Sequence, residues 1–101
     1  MNRIYQNLGI IKKAGMCVIG EAILSHIRNK TVYLVIVASD ASIKTKKMYQ
    51  DKCHFYQVPC VIYGSKADLS KAVKKDNIAA VAIDNQGFAK KVYSQLKEVV
   101  S

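Results

Sequence analysis

Leu34-Val35-Ile36-Val37-Ala38-Ser39-Asp40-Ala41-Ser42-Ile43-Lys44-Thr45-Lys46-Lys47 is the stretch on which the reading of this chain turns. Its opening run, Val32 to Ala38, is continuously apolar and rich in β-branched residues, the composition of a strand covered on both faces. Ser39 to Ser42 form a polar loop, with Ser42 placed to cap a helix that carries Lys44, Lys46 and Lys47. In open α/β sheets the crevice beyond the strand carboxyl ends is where ligands sit. Helix N-termini there present unpaired N–H groups suited to phosphate. Any working surface is expected to include this loop.

Outward from this stretch the chain alternates helix and strand. Residues 2–14 read as a helix with Ile4, Leu8 and Ile11 on one face, Lys12 and Lys13 in its last turn, and Gly15 closing it. Met16 to Ile19 form a brief strand. Gly20-Glu21 open a second helix with Ile23, Leu24 and Ile27 inward. Beyond the central stretch, Met48, Tyr49, Cys53 and Tyr56 supply the inner stripe of the third helix, which Val58-Pro59 ends. Cys60 to Tyr63 is a strand. Ser65-Lys66-Ala67-Asp68 fits a capping box and starts a helix with Leu69, Ala72 and Val73 as its stripe. Lys74 to Asn77 form a basic loop before the apolar strand Ile78 to Ile83. Asp84-Asn85 cap a last helix whose inner positions are Phe88, Val92, Leu96 and Val99. Strands alternating with helices predict one compact three-layer α/β/α domain over residues 1–101, with helices on both faces of the sheet.

Charge narrows the function. Sixteen lysines and arginines against seven acids give +9 over 101 residues. In a small domain that excess implies a polyanionic partner, most often nucleic acid. The lysines cluster at 12–13, 44–47, 71–75 and 90–91 and are spread over several elements, unlike a membrane-surface helix. No apolar run approaches the roughly 18 residues of a membrane span, and the N-terminus lacks a signal-peptide pattern, so a cytoplasmic protein is expected. Half the residues are apolar, which argues against disorder.

Catalytic and metal chemistry have little to stand on. Cys17, Cys53 and Cys60 form no C-x-x-C pair, and only His26 and His54 could join them, so neither metal nor disulfide is expected. Cys60 to Lys66 approaches a C-x5-R phosphate loop, but Lys66 stands where a bidentate arginine is needed. An enzyme reading would require Cys60 to have a depressed pKa, which a thiol within a strand is not expected to show. His26 has no catalytic partner in the pattern; it reads as a surface histidine or an RNA contact. Glu21 either complements a helix dipole or serves a functional role. No nucleotide-binding glycine motif is present, and no cofactor is expected. Asp40, an acid within a basic face, would either fix its loop internally or accept hydrogen bonds from base amino groups.

Val35-Ile36-Val37-Ala38-Ser39-Asp40-Ala41-Ser42 resembles the strand-and-loop signature of the kink-turn RNA-binding ribosomal protein superfamily, of the L-seven-Ae and L-thirty-e type. Leu8-Gly9-Ile10, Lys13-Ala14-Gly15, Gly20-Glu21, Asp51 to Tyr56 and Gly87 to Lys91 extend the likeness over nearly the whole chain. It is nearest the bacterial YlxQ-like ribosome-associated branch. The resemblance implies a four-stranded mixed sheet within the sandwich. It also implies an RNA face made by the second helix start (Gly20, Glu21, Ala22), the loop with Ser39 and Asp40, and the loop with Asn77 and Ile78. Kink-turn binders typically carry Asn-Glu at that helix start and a lysine one turn later. Here Gly20 precedes Glu21, and Ser25 or His26 falls where the lysine belongs.

The sequence thus predicts a non-enzymatic, monomeric, RNA-binding protein associated with the ribosome. Lys12, Lys13, Lys44, Lys46, Lys74 and Lys75 would contact phosphate, while Glu21, Ser39, Asp40 and Asn77 would orient the RNA. A protein-interaction module on the same fold is the alternative, since fold alone does not fix function.

Overall fold

The computed structural model describes residues 2–100. The elements run α1 (Arg3–Lys13), β1 (Cys17–Ile19), α2 (Ala22–Arg28), β2 (Leu34–Val37), α3 (Ile43–Tyr56), β3 (Cys60–Ile62), α4 (Lys66–Val73), β4 (Ala80–Ile83) and α5 (Gln86–Val100). The strands form one sheet in the order β1-β4-β2-β3. β2 and β3 are parallel, with Val35 opposite Cys60 and Val37 opposite Ile62. β4 runs antiparallel to both neighbours, pairing Cys17 with Ile83 on one side and Val37 with Ala80 on the other. The sheet is mixed, as the resemblance implies. α1 packs against α4 and α5, and α2 against α3, which makes three layers.

The central strands β2 and β4 are buried at every position, whereas the edge strands β1 and β3 are half-buried. This is why Leu34 to Val37 and Ala80 to Ile83 read as unbroken apolar runs rather than alternating ones. Ile4, Leu8 and Ile11 of α1, Ile23 and Ile27 of α2, and Val92 and Leu96 of α5 close over the sheet. Burying each such side chain contributes on the order of 1.5–3 kcal/mol.

Helix starts follow the expected capping chemistry. Ser42 Oγ accepts from Thr45 N at 3.1 Å, Ser65 Oγ from Asp68 N at 3.0 Å, and Asn85 Oδ1 from Phe88 N at 2.9 Å. Asn2 caps α1, accepting from Ile4 N at 2.7 Å. At the end of α1, Gly15 takes φ +76° and Met16 N bonds Ile11 O at 3.0 Å, closing the helix.

Several expected positions differ. β2 and β4 are shorter than Val32 to Ala38 and Ile78 to Ile83, although Tyr33 N→Ile83 O and Ala38 N→Ala79 O continue the ladder. Val99 is 59 % exposed; Ala89 is buried on α5. Met48 faces outward, and Tyr49 and Cys53 carry the inner stripe of α3. The Ser65 capping box is one-armed: Ser65 Oγ accepts from Asp68 N, and Ser65 is held by no return bond from the Asp68 carboxylate among the described residues.

Candidate nucleic-acid interface

Strand direction decides where the loops meet. β1, β2 and β3 end, and β4 begins, at the same edge of the sheet: Ile19 lies opposite Val81, Val37 opposite Ala80, and Ile62 opposite Val37. The turn at Gly20-Glu21, the loop 38–42, the turn 63–65 and the loop 74–79 therefore share one rim. The three places singled out from the sequence are brought together because β4 is antiparallel.

The loop after β2 is tied down by its own side chains. Ser39 donates from both its backbone N–H and its hydroxyl to Gly64 O, each at 2.7 Å. Asp40 Oδ1 accepts from the backbone N–H of Lys66 at 2.8 Å, fixing the loop to the start of α4. Lys46 Nζ reaches back to Ser39 O at 3.0 Å. Of the two roles open to Asp40, the structure shows the internal one. Gly64 is required beside this knot: its φ is +75°, and a Cβ there would lie 2.5 Å from the Tyr5 hydroxyl.

Next to the knot lies a groove of about 500 Å³ between α2, α3 and the loop before β4. Gly20, Glu21 and Leu24 form one wall, Thr45, Met48 and Tyr49 another, and Asn77 to Ala80 the third. Glu21 is exposed at the start of α2 with no side-chain capping bond. Asn77 is exposed and holds φ +56°, a conformation asparagine tolerates better than most residues. Ile78 is anchored by its N–H to Ser70 Oγ at 2.9 Å and is buried, so its side chain belongs to the core. Burial, with Cys53 and Glu21 nearby, pushes the Tyr49 hydroxyl above its ordinary pKa. Thr45, Met48 and Tyr49 were not legible as groove residues. Nothing in the α3 pattern separates a groove wall from an inner stripe.

Other predicted contacts fall elsewhere. Ala22 is exposed on the first turn of α2 and Ser25 one turn on, while His26 bonds Thr31 Oγ1 through Nδ1 at 2.7 Å, toward the far end of the helix. None of the three lines the groove. Lys44 is exposed on α3. Lys12, Lys13, Lys74 and Lys75 gather around a hollow of about 380 Å³ between α1 and α4. A broader polar hollow of about 950 Å³ is lined by Lys66, Lys71, Lys74 and Lys75, with Asp76 as its acid. It shares Asn77 and Ala79 with the groove, and Lys74 and Lys75 with the α1–α4 hollow. The basic surface is thus continuous from the groove across α4 to α1.

The three cysteines are free. Burial pushes the Cys17 thiol up to about 11, against a smaller downward pull from Lys12. Interaction between the neighbouring Cys53 and Cys60 thiols raises Cys53 and, contrary to expectation, lowers Cys60. The lowering comes from a neutral thiol, not from the base or cation that activates a catalytic cysteine. No helix among the described residues is long and apolar enough to cross a membrane.

Residues 2–93 match the profile of the ribosomal protein L7Ae/L30e/S12e/Gadd45 family. The chain belongs to this family. Within the L7Ae/L30e/S12e/Gadd45 family it is 39 % identical over 90 residues to the RNA-binding protein YlxQ of Bacillus subtilis (strain 168), covering 88 % of this chain and 90 % of that one. It is 39 % identical over 85 residues to RNA-binding protein YlxQ of Enterococcus faecium, covering 83 % and 82 %. The likeness to the YlxQ branch thus holds. A protein of unknown function from Bacillus halodurans C superposes with a TM-score of 0.92 at 31 % identity, over 96 % of this chain and 99 % of that one. The Giardia lamblia 15.5kD RNA binding protein shares the fold, with a TM-score of 0.80 at 19 % identity over 95 % and 86 %.

Proposed function

We propose that this protein binds structured RNA, seating it in the groove beside Glu21 and Asn77 and on the basic surface that continues over α4 and α1. The observation that carries this reading is the convergence of four chain segments on one edge of the sheet, with a lysine surface that continues from it over α4 to α1. Membership in the L7Ae/L30e/S12e/Gadd45 family and the names of the YlxQ relatives support RNA as the polyanion. Lys12, Lys13, Lys74 and Lys75 neutralise phosphates, which positions the RNA without reading its sequence. Glu21, Asn77 and the backbone of the rim meet exposed base edges, because the deep groove of an RNA helix is closed to side chains. Ser39, Asp40 and Lys46 act from behind, by holding the rim in shape. The protein works as a single, monomeric, non-catalytic domain in the cytoplasm, on ribosomal RNA or ribosome-bound RNA.

Kink-turn recognition is the finer form of this proposal. Gly20, and Ser25 or His26, stand where the family pattern has asparagine and lysine, so a kink-turn would be gripped with fewer side-chain contacts. Filter-binding titrations against ribosomal RNA and a kink-turn hairpin test both levels. Neutralising four phosphates through Lys12, Lys13, Lys74 and Lys75 lowers affinity about 10²-fold between 50 and 200 mM salt. Binding that ignores salt, or fails for both RNAs, would overturn the reading; ribosomal RNA binding without hairpin binding would remove only the kink-turn form.

A further inference from the structure

The pole of the sheet opposite the groove carries a cleft of about 300 Å³ that RNA binding at the rim leaves without a role. It lies where β2 and β3 begin and α5 starts. Buried Val32, Val58 and Ala89 supply its apolar floor. Two tyrosines also line it, Tyr33 and Tyr93, which are 42 % and 39 % exposed. Large side chains left this open over an apolar floor offer stacking surface to a flat ring.

The charged side chains that line the cleft are of one sign. Lys30 and Lys90 line it and no acidic side chain does. Lys97 Nζ lies 5.5 Å from the centre of the Tyr93 ring, adding a third cation beside it. Gln57 and Gln86 complete the lining with amides that both donate and accept. An apolar peptide would leave these lysines unanswered, and an acidic peptide would leave the tyrosines unused. A nucleotide answers all of them: a flat base, an anionic phosphate and a hydrogen-bonding edge. The volume is at the lower end for small-ligand sites, enough for one such unit.

We propose that this cleft binds a single unpaired nucleotide, its base stacked on Tyr33 or Tyr93 and its phosphate neutralised by Lys30 and Lys90. The inference stands apart from the groove and survives if the groove binds nothing. The same chemistry serves a free nucleotide or an unpaired residue of an RNA strand, and the test separates the two.

The intact, ¹⁵N-labelled protein would be titrated with adenosine monophosphate and with an unstructured hexa-adenylate, following backbone amide shifts. The expected shifts fall on Tyr33, Gln57, Gln86 and Tyr93, and persist in a Glu21→Gln, Lys74→Gln variant altered only at the rim. Tyr33→Ala and Tyr93→Ala together weaken hexa-adenylate binding at this pole by about tenfold or more. Lys30→Gln with Lys90→Gln flattens the log–log salt dependence by roughly one per lysine removed. Hexa-adenylate binding at least tenfold tighter than the mononucleotide identifies an RNA strand as the source; equal affinities identify a free nucleotide. Shifts confined to the rim, shifts at neither pole, or pole binding unchanged in the folded tyrosine variant would each overturn the proposal. Should the tyrosine variant fail to fold, the lysine variant, altered only at exposed residues, decides by the same readout.

Discussion

The two halves of the rim are built on opposite plans. In the loop after β2, Ser39, Asp40 and Lys46 all spend their polar groups on Gly64 O, Lys66 N and Ser39 O. Across the groove, Glu21 makes no capping bond and Asn77 stands exposed at φ +56°. One half is a clasp that fixes the chain and the other leaves its polar groups exposed, free for the RNA proposed to bind here. Polar residues at a binding rim are therefore not equivalent, and only their partners tell which do which. Substitutions in the clasp should act on stability, and those in the open half on affinity.

The largest effect is expected where neither plan applies, on the lysine surface. Lys12, Lys13, Lys74 and Lys75 changed together to glutamine should lower RNA affinity about 10²-fold or more at low salt. They should also flatten the log–log salt plot by roughly three to four; an unchanged slope would mean that these lysines meet no phosphate. Gly64→Ala tests the clasp at its tightest point. A side chain at φ +75° facing the Tyr5 hydroxyl should cost about 2 kcal/mol, read as a fall in Tm on the order of 10 °C. The comparison itself is sharpest in a pair. Asp40→Ala should cost about 1 kcal/mol, as for a lost helix cap, with RNA affinity of the folded protein unchanged. Glu21→Gln should leave Tm in place and weaken RNA binding several-fold, within the roughly 1–3 kcal/mol of a base-reading contact. Reversal of this pattern in calorimetry and filter binding would abolish the distinction.

The smallest effect concerns Cys17, behind the rim on β1. Its thiol is pushed up to about 11 by burial, so only about one molecule in a thousand carries the thiolate at pH 8. Alkylation by iodoacetamide should be slow at pH 8 and rise about tenfold per pH unit toward 11. It should speed up on addition of denaturant, as mass spectrometry would show. Because the folded state favours the protonated thiol, this group's contribution to stability is complete below pH 9 and fades as pH rises toward 11. A rate that levels off near pH 9 in the folded protein would show that the thiol is not shielded.

Local chemistry made most of the fold readable. Ser42, Ser65 and Asn85 announce helix starts because a side-chain oxygen beside three free N–H groups has one obvious use. The buried strands announce themselves because both faces are covered. What stayed hidden depends on partners distant in sequence. Lys30, Gln57 and Lys74 adopt positive φ without being glycine, and no local pattern marks them. Val99 continues the apolar spacing of α5 but stands exposed in its last turn. Ser39 read as a ligand group and Asp40 as either a loop brace or a base contact, since their acceptor and donor, Gly64 and Lys66, sit on a neighbouring element. Composition and loop placement were enough to find the rim, not to divide it.

The position of β4 has a kinetic consequence. It is a central strand, flanked by β1 and β2, yet it is the last of the four to leave the ribosome during synthesis. Until residues 80–83 emerge, β1 has no partner and β2 has only β3, so two unpaired apolar edges wait for one strand. Pairing of Cys17 with Ile83 then closes a loop of most of the chain, a non-local step that slows folding. A nascent chain stalled before residue 80 would offer those edges to other chains. Completion of the sheet and formation of the rim are therefore one late event, and the surface proposed to meet RNA cannot exist on a partly made protein.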